Sequence, residues 1–212
     1  MPGSPSIPDP CFVIMIIKAE ISHAQRIAMM HMQELKSGFL STLGLPFLTG
    51  LYNTIIQQGI LLASIDGEKV DGFVSFSPNT KKLMIGFILS SPLNFLRLSF
   101  QVIRNPTFLR KSIETLTAPF KSSHRSNNEY DLPAAELLSI AVDSTIQKSG
   151  IGSQLLMALE NETRKMGIRE YKVIAGAHLV SANNFYLKNG FTNVLQITIH
   201  GNELSNVYVK QL

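Results

Sequence analysis

The alternation of apolar and polar positions cuts this chain into short runs. Phe12 to Ile17 is apolar and β-branched, which predicts a buried strand. Ser22 stands as an N-cap ahead of a helix with Ile27, Met30 and Leu35 near one face. Leu45 to Ile56 carries Leu48, Leu51, Ile55 and Ile56 at helical spacing, and Gly59 ends that helix. Ile60 to Ile65 and Val70 to Phe76 read as strands, with Asp66-Gly67 between them as a hairpin turn. Lys81 to Lys121 follows a different pattern. Ser91-Pro92 and Asn105-Pro106 each look like an N-cap with proline at the first helical position. Leu93, Leu96, Phe100 and Ile103 share one face, and Arg97, Gln101 and Arg104 share another, so the segment predicts an amphipathic basic helical pair inserted between the third and fourth strands.

The regular rhythm returns at Glu136 to Val142, a strand, followed by a turn and a helix from about Gly150 to Met166, stopped by Gly167. Tyr171 to Ala175 predicts a strand and Ser181 to Lys188 a short helix ended by Asn189-Gly190. Phe191 to His200 and Leu204 to Val209 predict a closing hairpin through Gly201-Asn202. Hydrophobic residues make up 45% and charged residues 16%, which excludes bulk disorder and leaves room for one sizeable core. A polar loop is expected over His124 to Asp131.

Charge changes the picture only locally. The net charge of +4 does not call for nucleic acid, and none is expected as a partner. Lys81 to Arg125 holds eight Lys/Arg and one acid, so the insertion is basic and the remainder slightly acidic. It suits an anionic acceptor, peripheral contact with an anionic membrane through 81–125, or simply a solvated face. The apolar runs Cys11–Ile17 and Leu83–Leu96 fall short of the roughly 20 residues a span needs. Met1 to Pro10 is rich in Pro and Ser without a basic lead into an apolar stretch, so residues 1–11 read as a flexible tail and a cytoplasmic location is expected. The single cysteine, Cys11, rules out an internal disulfide. No His, Asp or Glu cluster has ligand spacing, so no metal is expected.

The most specific chemistry lies in Gln147-Lys148-Ser149-Gly150-Ile151-Gly152, between a strand and a helix. Glycines let the backbone turn sharply and approach a ligand. The first N–H groups of a helix lack internal partners and, with the helix dipole, favour an anion; Lys148 adds positive charge. A pyrophosphate suits such a turn. Leu155 breaks the dinucleotide pattern G-x-G-x-x-G, and the nucleotide pattern G-x-x-x-x-G-K-[ST] is absent. On the loop alone, a tight glycine turn with no ligand stays open.

Ile140-Ala141-Val142 followed by Gln147 through Gly152 resembles the Q/R-x-x-G-x-G/A acyl-CoA motif of the GNAT acetyltransferases. Ala182 through Phe191 (ANNFYLKNGF) resembles that family's A-x-x-F-Y-x-x-x-G-F, in the expected order and distance. The resemblance covers about Ala135 to Phe191; the N-terminal half agrees in element order. It implies the GNAT fold, in the α/β (α+β) class: a central mixed, mostly antiparallel sheet of about seven strands flanked by helices, in one domain over 12–212. It implies acetyl-CoA as cosubstrate and an amine acceptor. The fourth strand would bind the pantetheine arm through the backbone of Ile140, Ala141 and Val142. Gln147, Lys148, Ser149, Gly150, Ile151, Gly152 and Ser153 would hold the pyrophosphate. The family often has Asn three residues before the motif's Ala; Leu179 stands there, and Asn183 or Asn184 would take its place, Asn183 being the cofactor-binding candidate.

Tyr186 then becomes the candidate general acid for the leaving thiolate, and Glu136, six residues before Val142, the candidate base. A core tyrosine and an ordinary strand-edge glutamate remain the plain readings of these positions. His178 and His124 are weaker bases, without evident partners. The expected function is acetyl transfer to a primary amine of a small molecule or amino sugar. A protein acetyltransferase and a non-catalytic acyl-CoA-binding module stay open, as do monomer and homodimer.

Overall fold

The computed structural model describes residues 15–36, 38–67, 69–90, 131–199 and 203–212. The elements run β1 (Ile16–Lys18), α1 (Ala24–Glu34), α2 (Leu45–Gln58), β2 (Ile60–Asp66), β3 (Lys69–Ser77), α3 (Thr80–Ser90), β4 (Glu136–Val142), α4 (Ile151–Lys165), β5 (Glu170–Gly176), α5 (Val180–Lys188), β6 (Thr192–Ile199) and β7 (Glu203–Gln211). The strands form one seven-stranded sheet in the order β1-β2-β3-β4-β5-β7-β6. Every neighbouring pair is antiparallel except β4–β5, so the expected mixed sheet of seven strands is the one observed.

Both faces of the sheet are covered, which is why β2 and β3 read as nearly continuous apolar runs. Alternate residues feed two cores. Ala63, Phe73 and Ala141 pack with Ile27, Ala28, Leu48, Leu51 and Ile55 of α1 and α2 and with Leu83 and Phe87 of α3. Leu62, Val74 and Phe76 pack with Ile151, Leu155 and Leu159 of α4, and with Tyr171, Tyr186 and Phe191. The apolar stripe of α4 recurs every three to four residues (Ile151, Leu155, Leu156, Leu159), and its polar face turns outward.

Observed boundaries differ from the sequence reading where tertiary contacts intervene. A 3₁₀ turn over Ile21–His23 precedes α1, so that helix starts at Ala24 and not directly after Ser22. Gly59 does end α2, its N–H bonding the Ile55 carbonyl at 2.8 Å, but it does so with negative φ. What requires glycine is crowding: a Cβ there would lie 2.3 Å from the Phe76 carbonyl oxygen of β3. Thr80–Ser90 forms a helix not separated in the sequence from the rest of the insertion, its first turn capped by the Asn79 side chain, which accepts from the Lys82 N–H at 3.0 Å. The tail 1–11, the helix starts at Ser91-Pro92 and Asn105-Pro106, His124 and the Gly201-Asn202 turn lie outside the described residues. Among the described residues, no helix is long and apolar enough to cross a membrane.

Candidate functional site

The site begins with the one parallel junction in the sheet. β4 and β5 pair over only two rungs, Glu136↔Lys172 and Leu137↔Val173. Beyond them, β4 stays paired with β3 as far as Val142, and β5 stays paired with β7 as far as Gly176. The two strands therefore diverge with their facing backbone edges unpaired. The cause is visible in the β3 register: Phe76 opposes Leu137 and Ser75 opposes Ser139, so Leu138 is the extra residue of a bulge. A bulge bends its strand and increases local twist, and this one falls where pairing with β5 stops. The open edge runs along Ile140 to Val142, where the backbone groups of alternate residues face away from β3 and an extended ligand arm can pair with them. Ile140 and Val142 turn their side chains to the α4 core, and Ala141 turns to the α1–α2 core.

The mouth of this V is closed by the loop from Asp143 to Gly150. Asp143 caps it, accepting from the Thr145 N–H at 2.9 Å and the Thr145 hydroxyl at 2.6 Å. Those bonds, with Lys69 3.0 Å away, hold the Asp143 carboxyl down at about 2. Gln147 turns its side chain inward and donates to the Val142 carbonyl at 3.1 Å, so it ties the loop to the end of β4. Lys148 (φ 67) is the one non-glycine among the described residues in the left-handed region, and Gly150 follows at φ 89. Residues 147–150 are exposed. The first internal bond of α4 joins the Gln154 N–H to the Gly150 carbonyl at 3.0 Å, which leaves the Ile151, Gly152 and Ser153 N–H groups without acceptors inside the helix. Gly152 is glycine for a packing reason: a Cβ there would lie 3.3 Å from the Phe185 ring and 3.7 Å from Val142.

Tyr186 lies on α5 at the flank of the V, against the α4 core. Its ring is 5.3 Å from Phe191, 5.5 Å from Phe185 and 5.7 Å from Tyr208, centroid to centroid. Burial, and then Tyr208, push its hydroxyl pKa well above the tyrosine range. That hydroxyl has no hydrogen-bond partner among the described residues, yet it is not among their fully water-excluded unpartnered atoms. Asn183, one turn earlier, is fully occupied instead. Its Nδ2 donates to the carbonyls of Leu179 at 2.7 Å and Gly176 at 2.9 Å, and its Oδ1 accepts from Tyr208 at 2.8 Å and Asn206 at 2.9 Å. With both donors and both lone pairs spent, Asn183 fixes α5, and so Tyr186, against β5 and β7.

Glu136 stands at the crotch of the V. Its Oε2 accepts from the Thr80 hydroxyl at 3.1 Å and faces Lys172 Nζ at 3.5 Å. Burial raises its carboxyl pKa, and Lys172 and Thr80 pull against that rise. Lys172 also donates to the Pro133 carbonyl. No contact among the described residues joins Glu136 to Tyr186; they flank the V from different elements. His178 is exposed and folds back over Gly176, away from any carboxylate partner seen here. Among the described residues, no three His, Cys, Asp or Glu side chains are grouped for a metal ion.

Sequence reasoning did not find Thr80 or Lys172. Lys172 was signalled only by its place between Tyr171 and Val173 in an apolar strand. The Lys172–Glu136 pair makes a testable prediction. Glu136 has a raised pKa in the folded state, so its ionisation costs stability as pH rises through that value. Lys172→Met removes the opposing attraction. The expected loss is about 3 kcal/mol at pH 8 and less than half of that at pH 4.5, measured by urea unfolding. Equal losses at both values would show that the pair is not electrostatic.

Residues 120–193 match a family model described as an acetyltransferase (GNAT) domain. Solved structures match nearly the whole chain. The fold is the GNAT fold. One such structure, described as an acetyltransferase, is 21% identical, with a TM-score of 0.56 over 93% of this chain and 98% of its own. PaiA N-acetyltransferase from Thermoplasma acidophilum, solved in complex with coenzyme A, is 14% identical, with a TM-score of 0.57 over 95% of this chain and 100% of its own. The yncA protein from Salmonella typhimurium, solved with its cofactor acetyl-CoA, is also 14% identical, with a TM-score of 0.58 over 93% of each chain. No curated protein matches the chain. The resemblance carried by the two sequence motifs is thus met at the level of family model and fold.

Proposed function

We propose that the chain is an acyl-CoA-dependent N-acetyltransferase that moves the acetyl group of acetyl-CoA to a primary amine of a small molecule or amino sugar. The observation that carries this reading is the V between β4 and β5, with an exposed glycine loop and a helix N-terminus at its mouth. An extended pantetheine arm would add to the open edge of β4 at Ile140, Ala141 and Val142. The pyrophosphate would meet the free N–H groups of Ile151, Gly152 and Ser153, with Lys148 and Ser149 beside it. Gln147 supports this loop from within, and Asn183 supports α5.

The chemistry is a direct attack in a ternary complex. The amine nitrogen forms a bond to the thioester carbonyl carbon, the C–S bond breaks, and the thiolate leaves with its electron pair. Tyr186 gives that sulfur a proton, and the surplus amine proton passes to Glu136 through water. Burial makes Glu136 a stronger base than a surface carboxylate, although Lys172 moderates it. The reading is tested by calorimetric titration of the purified chain with acetyl-CoA, followed by a thiol-release assay over a panel of amines, amino sugars first. Saturable binding and amine-dependent thiol release are expected. No binding of acetyl-CoA, CoA or longer acyl-CoAs would overturn it.

A further inference from the structure

The loop from Asp143 to Gly150 holds a conformation that its own residues resist. Lys148 sits at φ 67, a backbone region that a long side chain enters at a cost. Residues 147–150 are exposed, so packing does not impose that conformation. Strained backbone persists where the surrounding contacts over-determine it. Here polar ties take that part. The Asp143 N–H donates to the Asp71 carbonyl at 2.9 Å and carries the β3–β4 ladder one step past Val142. Ser144 Oγ donates to Glu34 Oε1 of α1 at 3.2 Å. Gln147 closes the loop back onto Val142.

Asp143 is the hub of these ties. Its Oδ1 is spent inside the loop, on the N–H and hydroxyl of Thr145. Its Oδ2 faces Lys69 Nζ of β3 at 3.0 Å. The same ammonium lies 3.7 Å from Oδ1 of Asp71, a buried residue. Lys69 therefore stands between two carboxylates that would otherwise repel across the base of the loop. The bonds to Thr145 fix only the internal turn, whereas the Lys69 pair joins that turn to the sheet. With its pKa held down at about 2, the Asp143 carboxyl stays ionised, and the pair lasts, at neutral pH. The Lys69 side chain is half-exposed, and an exposed ion pair adds little to global stability. Its effect is therefore expected on the loop and not on the fold.

We infer that Lys69 is a positioning residue for the cosubstrate: through Asp143 it holds the 143–150 loop in the shape that presents the α4 N-terminus to the pyrophosphate. The proposal rests on the acetyl-CoA reading and adds to it a residue that lies outside both sequence motifs. A lysine here could instead act directly, as a positive charge that attracts phosphates. The two roles differ in what the partner carboxylate does. If Lys69 acts by charge alone, Asp143 opposes it, and removing the carboxylate tightens anion binding. If Lys69 acts through Asp143, removing either partner loosens the loop and weakens binding.

Two readouts on the full chain separate these roles: calorimetric titration with acetyl-CoA, and amide hydrogen exchange without ligand. Asp143→Asn keeps an acceptor for Thr145 and loses the ion pair. Lys69→Met and Asp143→Asn should each weaken acetyl-CoA binding about three- to fivefold, the scale of a surface ion pair. Each should also speed exchange of the Thr145 and Ile146 amides, which bond to the Asp143 side chain and carbonyl. The double variant should bind no more weakly than the weaker single variant, because both remove one interaction. Lys69→Arg should restore both readouts. Tighter binding by Asp143→Asn, wild-type affinity in Lys69→Met, additive losses in the double variant or unchanged loop exchange would each overturn the proposal while the acetyl-CoA reading stands. Exchange quickened across the whole sheet would overturn it too, by marking a general loss of fold. If the wild-type chain binds no acetyl-CoA, that reading falls and the positioning role falls with it.

Discussion

Gly150→Asp is expected to weaken acetyl-CoA binding at least about 100-fold while leaving the protein folded. Gly150 is exposed, adopts φ 89, and has open space around it: a Cβ would meet nothing nearer than the Gln154 side chain at 3.9 Å. Aspartate is among the few side chains that enter the left-handed region at modest cost, and at the N-cap position of α4 it is a favoured residue. The backbone cost and the cap gain thus offset within about 1 kcal/mol. The carboxylate, however, would stand where the helix dipole and the free N–H groups otherwise attract the pyrophosphate. Two like charges about 4 Å apart near a protein surface repel by several kcal/mol, and a 100-fold loss needs only about 2.7. Calorimetric titration, with a thermal melt as control, measures both sides. Gly150→Asn has the same shape without the charge and should keep most of the affinity. If the Asp variant binds like wild type, the pyrophosphate is held elsewhere. Gly152→Asp is the less informative change, because crowding against Phe185 and Val142 would move stability and binding together.

Tyr186→Phe should lower kcat by about 100- to 1,000-fold and leave acetyl-CoA affinity within twofold. The phenylalanine ring keeps the edge contacts with Phe185 and Phe191, and the deleted hydroxyl gives up no bond seen among the described residues. Stability should therefore change by less than about 1 kcal/mol. Pre-steady-state release of free thiol, read at saturating acetyl-CoA and amine, isolates the step that needs the proton. Because burial holds the hydroxyl above the ordinary tyrosine range, a fall in kcat between pH 8 and 10 is expected to come from another group. A variant with wild-type kcat would make Tyr186 a core tyrosine and nothing more.

These two tests bear on different parts of the V. The first probes its mouth, where binding is electrostatic. The second probes its flank, where the site must supply a proton at one atom. Failure of either leaves the other assignment standing, which makes the site separable by experiment.

Much of this was legible in the sequence because it is local. The strand Glu136–Val142 keeps the boundaries read from its apolar run, and the turn into α4 is written in Gly150. Asp66-Gly67 and the spacing of Leu48, Leu51 and Ile55 specify a turn and a buried helix face within a few residues of chain. What the sequence could not show depends on residues far apart in it. The V exists because Leu138 bulges against β3 and β5 turns to β7, and neither partner is near β4 in the chain. Lys172 meets Glu136, Tyr52 meets His31, and Asn183 is consumed by Tyr208 and Asn206 only after the sheet brings them together. Gly59 looks like a helix stop, yet it is required by the backbone of a strand that follows. Local propensity and periodicity chose the elements; packing and the satisfaction of buried polar groups decided which of their residues are free to do chemistry.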